Sequence, residues 1–172
     1  MWTDEEFRER QGLRAEARVN EKFLLVMTLS GRGLVGRDDA GSQYIYSPGV
    51  EDRELGEAVQ DALSRSRFIS LEEYKTFFHP DVCKREHEEW LQMMWERFGY
   101  KTKRALYKGM KNVTIQKAQN LLKFSPSHQE RSLDYWSGKG LGPEDDVTLP
   151  ATASPAEIGA ALRLAFSRCT GP

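Results

Sequence analysis

Between Ser154 and Cys169 the apolar positions recur with a helical period: Ile158, Ala161, Leu162, Ala165 and Phe166 fall on one stripe, the spacing of a helix that buries a single face. Ser154-Pro155-Ala156-Glu157 ahead of them is a capping box with proline at the first helical position, where its missing N–H costs nothing. The same pattern stands earlier in the chain. Glu54 to Ser66 aligns with Glu157 to Cys169, with Glu, Gly, two Ala, Ser and Arg coinciding and the other apolar positions exchanging only among Leu, Ile, Val and Phe. Each helix follows a proline (Pro48; Pro150) and a strand-like piece (Tyr44-Ile45-Tyr46; Val147-Thr148-Leu149). Before these come acids (Asp38-Asp39; Asp145-Asp146) and a glycine loop, Ser30-Gly31-Arg32-Gly33-Leu34 echoed by Ser137-Gly138-Lys139-Gly140-Leu141. The pattern predicts a duplicated loop, strand and helix over Ser30–Ser66 and Ser137–Cys169, related halves of one sheet-and-helix domain.

Elsewhere the chain alternates between helical and strand-like spacing. Thr3 to about Ala17 is rich in Glu and Arg and reads as a short helix or irregular extension, weakened by Gly12. Lys22 to Leu29 is a continuous apolar run of strand length, the pattern of a buried strand. Ser70-Leu71-Glu72-Glu73 opens a short helix that Pro80 stops. A longer one follows from about Asp81 to Phe98, with Trp90, Met93, Met94 and Phe98 on one stripe and Gly99 as terminator. Val113–Ile115 and Leu121–Phe124 predict two strands around a turn near Gln119-Asn120, and Arg131–Trp136 a further strand or its approach. With short turns outnumbering crossover helices, the expectation is a single α+β domain over residues 1–172 with a largely antiparallel sheet.

Charge narrows the function classes. Lys and Arg number 25 against 26 Asp and Glu, a formal net charge of -1, so no general attraction to nucleic acid or an anionic membrane follows. Met1-Trp2-Thr3-Asp4-Glu5-Glu6 lacks the basic then apolar regions of an export signal, and Phe23–Met27 is far too short to cross a bilayer. Cys83 and Cys169 lie in no paired metal spacing and read as reduced structural thiols.

Candidate chemistry is sparse. Gly31, Gly33 and Gly36 spell G-x-G-x-x-G, but turn residues follow where a dinucleotide site needs a helix. His79 and His87 have no second ligand at helical spacing, and Ser125, Ser127, His128 and Glu130 form no recognisable nucleophile motif. Tyr100–Lys111 interleaves Lys101, Lys103 and Arg104 with Tyr100 and Tyr107, which suits phosphate contact and base stacking, although alternate basic residues are also an ordinary solvated strand face. The acids Glu144, Asp145 and Asp146 suit acid–base work, a hard cation, a plain solvated loop or the surface for a basic partner.

Glu54-Leu55-Gly56, Ala62 through Phe68, Tyr100 through Leu106, Trp136-Ser137-Gly138 and Glu144 through Arg163 together resemble one family, the immunity proteins of bacterial contact-dependent growth inhibition systems, over about Asn20 to Cys169. The resemblance implies a cytoplasmic, non-enzymatic protein, with no cofactor or metal and no membrane or direct nucleic-acid contact, that binds and neutralises the C-terminal toxin domain, often a nuclease, of a large secreted effector. A toxin with a basic surface would favour clustered carboxylates, which makes Asp38, Asp39, Glu144, Asp145 and Asp146 the candidate toxin-binding residues. Some members are thought to accept a toxin hairpin as an added strand, for which the Val113–Phe124 hairpin or a Lys101–Met110 strand would supply an edge. The competing reading is a small nucleic-acid-binding module using residues 100–111.

Overall fold

The computed structural model describes residues 1–172. Its elements run α1 (Asp4–Gln11), β1 (Leu13–Val19), β2 (Leu24–Arg32), β3 (Leu34–Arg37), β4 (Gln43–Tyr46), α2 (Asp52–Ser64), α3 (Leu71–Phe77), α4 (Pro80–Phe98), α5 (Lys103–Tyr107), β5 (Lys111–Ala118), β6 (Leu121–Ser125), β7 (His128–Gln129), β8 (Trp136–Ser137), a 3-10 turn at Pro143–Asp145, β9 (Val147–Pro150) and α6 (Pro155–Ser167). The main sheet has the order β3-β2-β1-β5-β6-β9, with β4 also paired to β2, and all its ladders are antiparallel. This is the expected α+β fold.

The N-terminal reading needs correction. Gly12, at φ +59, ends α1 at Gln11, and the next residues form β1, a strand in the middle of the sheet rather than part of a helix or extension. Leu13, Ala15, Ala17 and Val19 pack toward α2 and α6 while Arg14, Glu16 and Arg18 take the opposite face, the two-residue period of a strand. Tyr100–Lys111 is corrected as well. Thr102 accepts a hydrogen bond from the Ala105 N–H and caps α5, so the basic stretch is a short helix and not a strand.

The duplication is larger than the sequence alignment. α2 and α6 lie side by side on one face of the sheet, over a core to which the two halves contribute matching positions. Carrying β1 onto β5 and β2 onto β6 matches Ala15 with Val113, Ala17 with Ile115, Leu24 with Leu122 and Val26 with Phe124. The third-strand ladders then match Tyr44 with Val147, and in the helices Leu55 pairs with Ile158, Ala58 with Ala161, Val59 with Leu162 and Ala62 with Ala165. Each half is therefore a β-β-β-α unit, and the halves meet at the β1–β5 ladder about an approximate twofold axis. The glycine-loop echo does not belong to it. Ser30–Leu34 ends β2 and turns into β3, whereas Ser137 leaves a small separate sheet formed by β7 and β8.

The segment between the halves covers the other face, but only in part. Phe23, Leu25 and Met27 meet Trp90, Leu91 and Met94 of α4 and Leu106 and Tyr107 of α5 in a second core. β2 thus has apolar partners on both sides, which is why its sequence is continuously apolar. Glu16, Arg18 and Thr114 on neighbouring strands stay beyond this cover.

Candidate functional site

The five candidate acids do not converge. Asp38 and Asp39 open the loop between β3 and β4, on one edge of the sheet, while Glu144, Asp145 and Asp146 precede β9 on the opposite edge. Asp38 is 4% exposed. It accepts hydrogen bonds from the Ser30 hydroxyl (2.6 Å), from Nε of Arg67 (2.8 Å) and from the Ala40 N–H (3.0 Å). Burial pushes its carboxyl upward, yet those donors outweigh burial and hold it below the usual carboxylate range. Asp38 therefore pins the chain after α2 to the sheet and presents no charge to a partner, contrary to expectation. Asp145 accepts from the Gly142 N–H (2.9 Å), and Arg168 donates to the backbone carbonyls of Asp145 and Asp146. Glu144 is exposed and Asp39 is half-exposed, with Asp39 3.2 Å from Nε of Arg37.

The expected strand edges are absent too. β5 lies between β1 and β6, and β6 between β5 and β9, so the Val113–Phe124 hairpin is interior and its backbone is already paired. The open edges are β3 with β4 on one side and β9 on the other. Thr28 N–H donates to the Ser42 carbonyl and Asp38 N–H to the Thr28 carbonyl, fixing the phase of both ladders on β2. By antiparallel alternation, Val35, Arg37, Gln43 and Ile45 then turn their N–H and C=O groups away from the sheet, and none of these groups is bonded within the chain. Ala151 N–H donates to the Asn120 carbonyl, which fixes the phase of β9. Its outward positions are Thr148 and Pro150, and proline has no N–H to offer.

Beside the β3 edge the sheet and the insert enclose a cleft of about 430 Å³. Glu16 and Arg18 of β1 form part of its floor, Arg37 of β3 closes one side, and Phe77, Glu86 and Trp90 face them from the helices. Arg18 pairs with Glu16 (3.3 Å), donates to Oδ1 of Asn112 (3.1 Å) and lies 4.6 Å from the centre of the Trp136 ring. Arg37 also donates to the backbone carbonyl of Glu86 (3.0 Å). Burial pushes the Glu86 carboxyl up, and the neighbouring Asp39 carboxylate adds to the rise. His87 is held below its ordinary range by burial first, then by Lys103, Arg18 and Arg37.

Other sequence candidates are engaged elsewhere. Tyr100 and Tyr107 are 8% and 3% exposed and belong to the second core, so they offer no ring to a base. His128, in β7, shares a 2.7 Å hydrogen bond with the Thr170 hydroxyl. No group of three or more His, Cys, Asp and Glu side chains is placed to hold a metal, and no helix is long and apolar enough to cross a membrane.

A family model described as "CdiI: CDI immunity protein" matches residues 13–169. The chain belongs to the CDI immunity proteins. It is 41% identical over 170 residues to "Immunity protein CdiI-YPIII" of Yersinia pseudotuberculosis serotype O:3 (strain YPIII), covering 91% of this chain and 95% of that one. Among solved structures, a chain of the "CdiA-CT/CdiI toxin and immunity complex from Yersinia pseudotuberculosis" matches with a TM-score of 0.84 and 37% identity, over 92% of this chain and 97% of that chain. The Neisseria meningitidis protein of unknown function NMB0488 matches with a TM-score of 0.85 and 35% identity, over 95% and 98%. In this CDI immunity protein, Glu86 and Trp90 were not singled out as site residues by sequence. The helical stripe marks Trp90 as core, and nothing local says that β3 will lie opposite α4.

Proposed function

We propose that this chain binds the C-terminal toxin domain of its cognate contact-dependent growth inhibition effector and holds it inactive in the cytoplasm, without catalysis of its own. The observation that carries this reading is the likeness, at 37% identity over nearly both whole chains, to a chain of a solved toxin and immunity complex. The non-enzymatic part is supported by the engagement of His128 with Thr170, away from any nucleophile–base arrangement.

The surface proposed for the toxin is the β3–β4 edge with its adjoining cleft. Four outward-facing residues without backbone partners, beside a concave wall, suit an extended segment that adds a strand and places alternate side chains into the cleft. Asp39, at the bend between these strands, stays in the proposed contact; Asp38 leaves it. The test is to mix the purified chain with the toxin domain encoded upstream of it. A stoichiometric complex that abolishes toxin activity is expected, and a toxin that stays free and active overturns the proposal.

A further inference from the structure

The cleft beside β3 has an uneven charge account. Arg18 is met by Glu16, and Arg37 by Asp39. Glu86 faces the same space with no cationic nitrogen within 4.0 Å of its carboxylate. A half-buried carboxylate that lacks a counter-charge is costly where water is scarce. Burial first and then the adjacent Asp39 carboxylate disfavour its charged form, outweighing the attraction of Arg37 and Arg85, neither of which reaches its carboxylate.

A second group in the wall is incomplete. Trp90 is 5% exposed and its indole N–H is buried with no acceptor. It stands one helical turn after Glu86 on α4, and both line the cleft. Phe77, Phe78 and the Trp90 ring supply apolar walls. Nε of Arg37, on the β3 side of the cleft, is likewise buried without a hydrogen-bond acceptor, so the cleft lacks one positive charge and acceptors for two N–H donors, and has apolar surface for an aliphatic stem.

We propose that the cleft receives a single lysine or arginine side chain of the toxin, its head paired with Glu86, its stem along Phe77 and Phe78, and a carbonyl of the same segment accepting from Trp90. The proposal rests on the toxin-binding reading above and names the chemistry of the contact. An extended peptide is the fitting occupant, because it brings a carbonyl within reach of each of its side chains. β3 itself lines the cleft through Val35, Gly36 and Arg37, so a segment paired along the outer edge of β3 is already next to Glu86. Stem burial with the head at a carboxylate is how long basic side chains occupy such sites. The aromatic walls add a favourable face for the cation. Arg18 and Arg37 do not fill the role, since hydrogen bonds hold Arg18 at Glu16 and Asn112 and Arg37 at the Glu86 carbonyl, with the Asp39 carboxylate 3.2 Å from Nε of Arg37.

The test uses the full chain and the toxin domain, with affinity read by calorimetry and folding by circular dichroism. Glu86→Gln is expected to weaken binding about tenfold and Glu86→Lys at least a hundredfold, with unfolding transitions like that of the parent. Reversing the toxin's basic residues one at a time to Glu is expected to reveal one position that restores affinity to the Glu86→Lys chain. Binding of both Glu86 variants within threefold of the parent, or the absence of any restoring position, overturns the proposal. A parent chain that fails to bind the toxin at all sinks the toxin-binding reading first.

Discussion

Gly56 and Gly159 occupy the same place in the two halves and face each other's helix starts. A Cβ on Gly56 would run into the carbonyl of Pro155, the first residue of α6, and a Cβ on Gly159 into the carbonyl of Asp52, the first residue of α2. The helices approach so closely because each offers a glycine to the other's first turn. Gly56→Ala and Gly159→Ala are each expected to cost about 3 kcal/mol, at the upper end of what overpacking does because the clash is with backbone. Their combined effect should be less than additive, since one separation of the helices relieves both clashes. Denaturant unfolding of the two single variants and the double variant measures this.

The Asp38–Arg67 pair predicts an acid-sensitive hinge between the first half and the insert. The folded carboxyl titrates below its ordinary value despite burial, because Arg67, Ser30 and the Ala40 N–H hold it. Its stabilising effect is therefore complete above the unfolded value near pH ~4 and is lost as pH falls through the lower folded value. Asp38→Asn should destabilise the chain by about 2 kcal/mol at neutral pH. The gap to the parent should narrow steadily below about pH 4, which thermal unfolding across a pH series reads.

Asn20 ties the β1–β2 turn to the insert. Its side-chain oxygen accepts from the N–H groups of Lys22 and Phe23, and its amide nitrogen donates to the Tyr100 hydroxyl (2.7 Å) and the Leu106 carbonyl (3.0 Å). Asn20→Ala leaves these groups unpaired in a buried place, at an expected cost of about 3 kcal/mol. Hydrogen exchange should show the loss as faster opening around α5 than around α2 and α6.

The proposed docking edge is tested by removing one outward donor. Gln43 is exposed and begins β4 with its N–H turned from the sheet, so proline is accommodated there. Gln43→Pro should leave the unfolding midpoint nearly unchanged and weaken toxin binding about tenfold. Thr148→Lys, on the opposite edge, should leave binding as it is. The reverse outcome moves the toxin to β9.

Legibility in the sequence followed the range of the interactions. Caps act within a turn, so the starts of α3 and α6 could be read at Ser70 and Ser154, while Pro80, read as the stop of α3 with the next helix from about Asp81, is the first residue of α4. Gln119 and Asn120 form the expected two-residue turn, with φ of +52 and +63. The duplication was visible only where side chains coincide. Ala15 and Val113 match by burial and not by identity, so the alignment stopped at Ser30 and missed β1, whose charged Arg14, Glu16 and Arg18 hid its alternation. Strand order is settled by long-range pairing, which no local pattern records. That is why the sequence shows residues 38–39 and 144–146 as matching loops but not that the twofold between the halves sets them on opposite edges, and why Glu86 was passed over.

Pro150 gives the duplicated sheet a polarity that its two halves would otherwise lack. A molecule with equally receptive rims could stack rim to rim into open filaments at the concentrations needed to intercept an incoming toxin. With an N–H missing from the β9 rim, the rim formed by β3 and β4 keeps the larger set of outward donors for a guest strand, and rim-to-rim stacking of like copies is disfavoured.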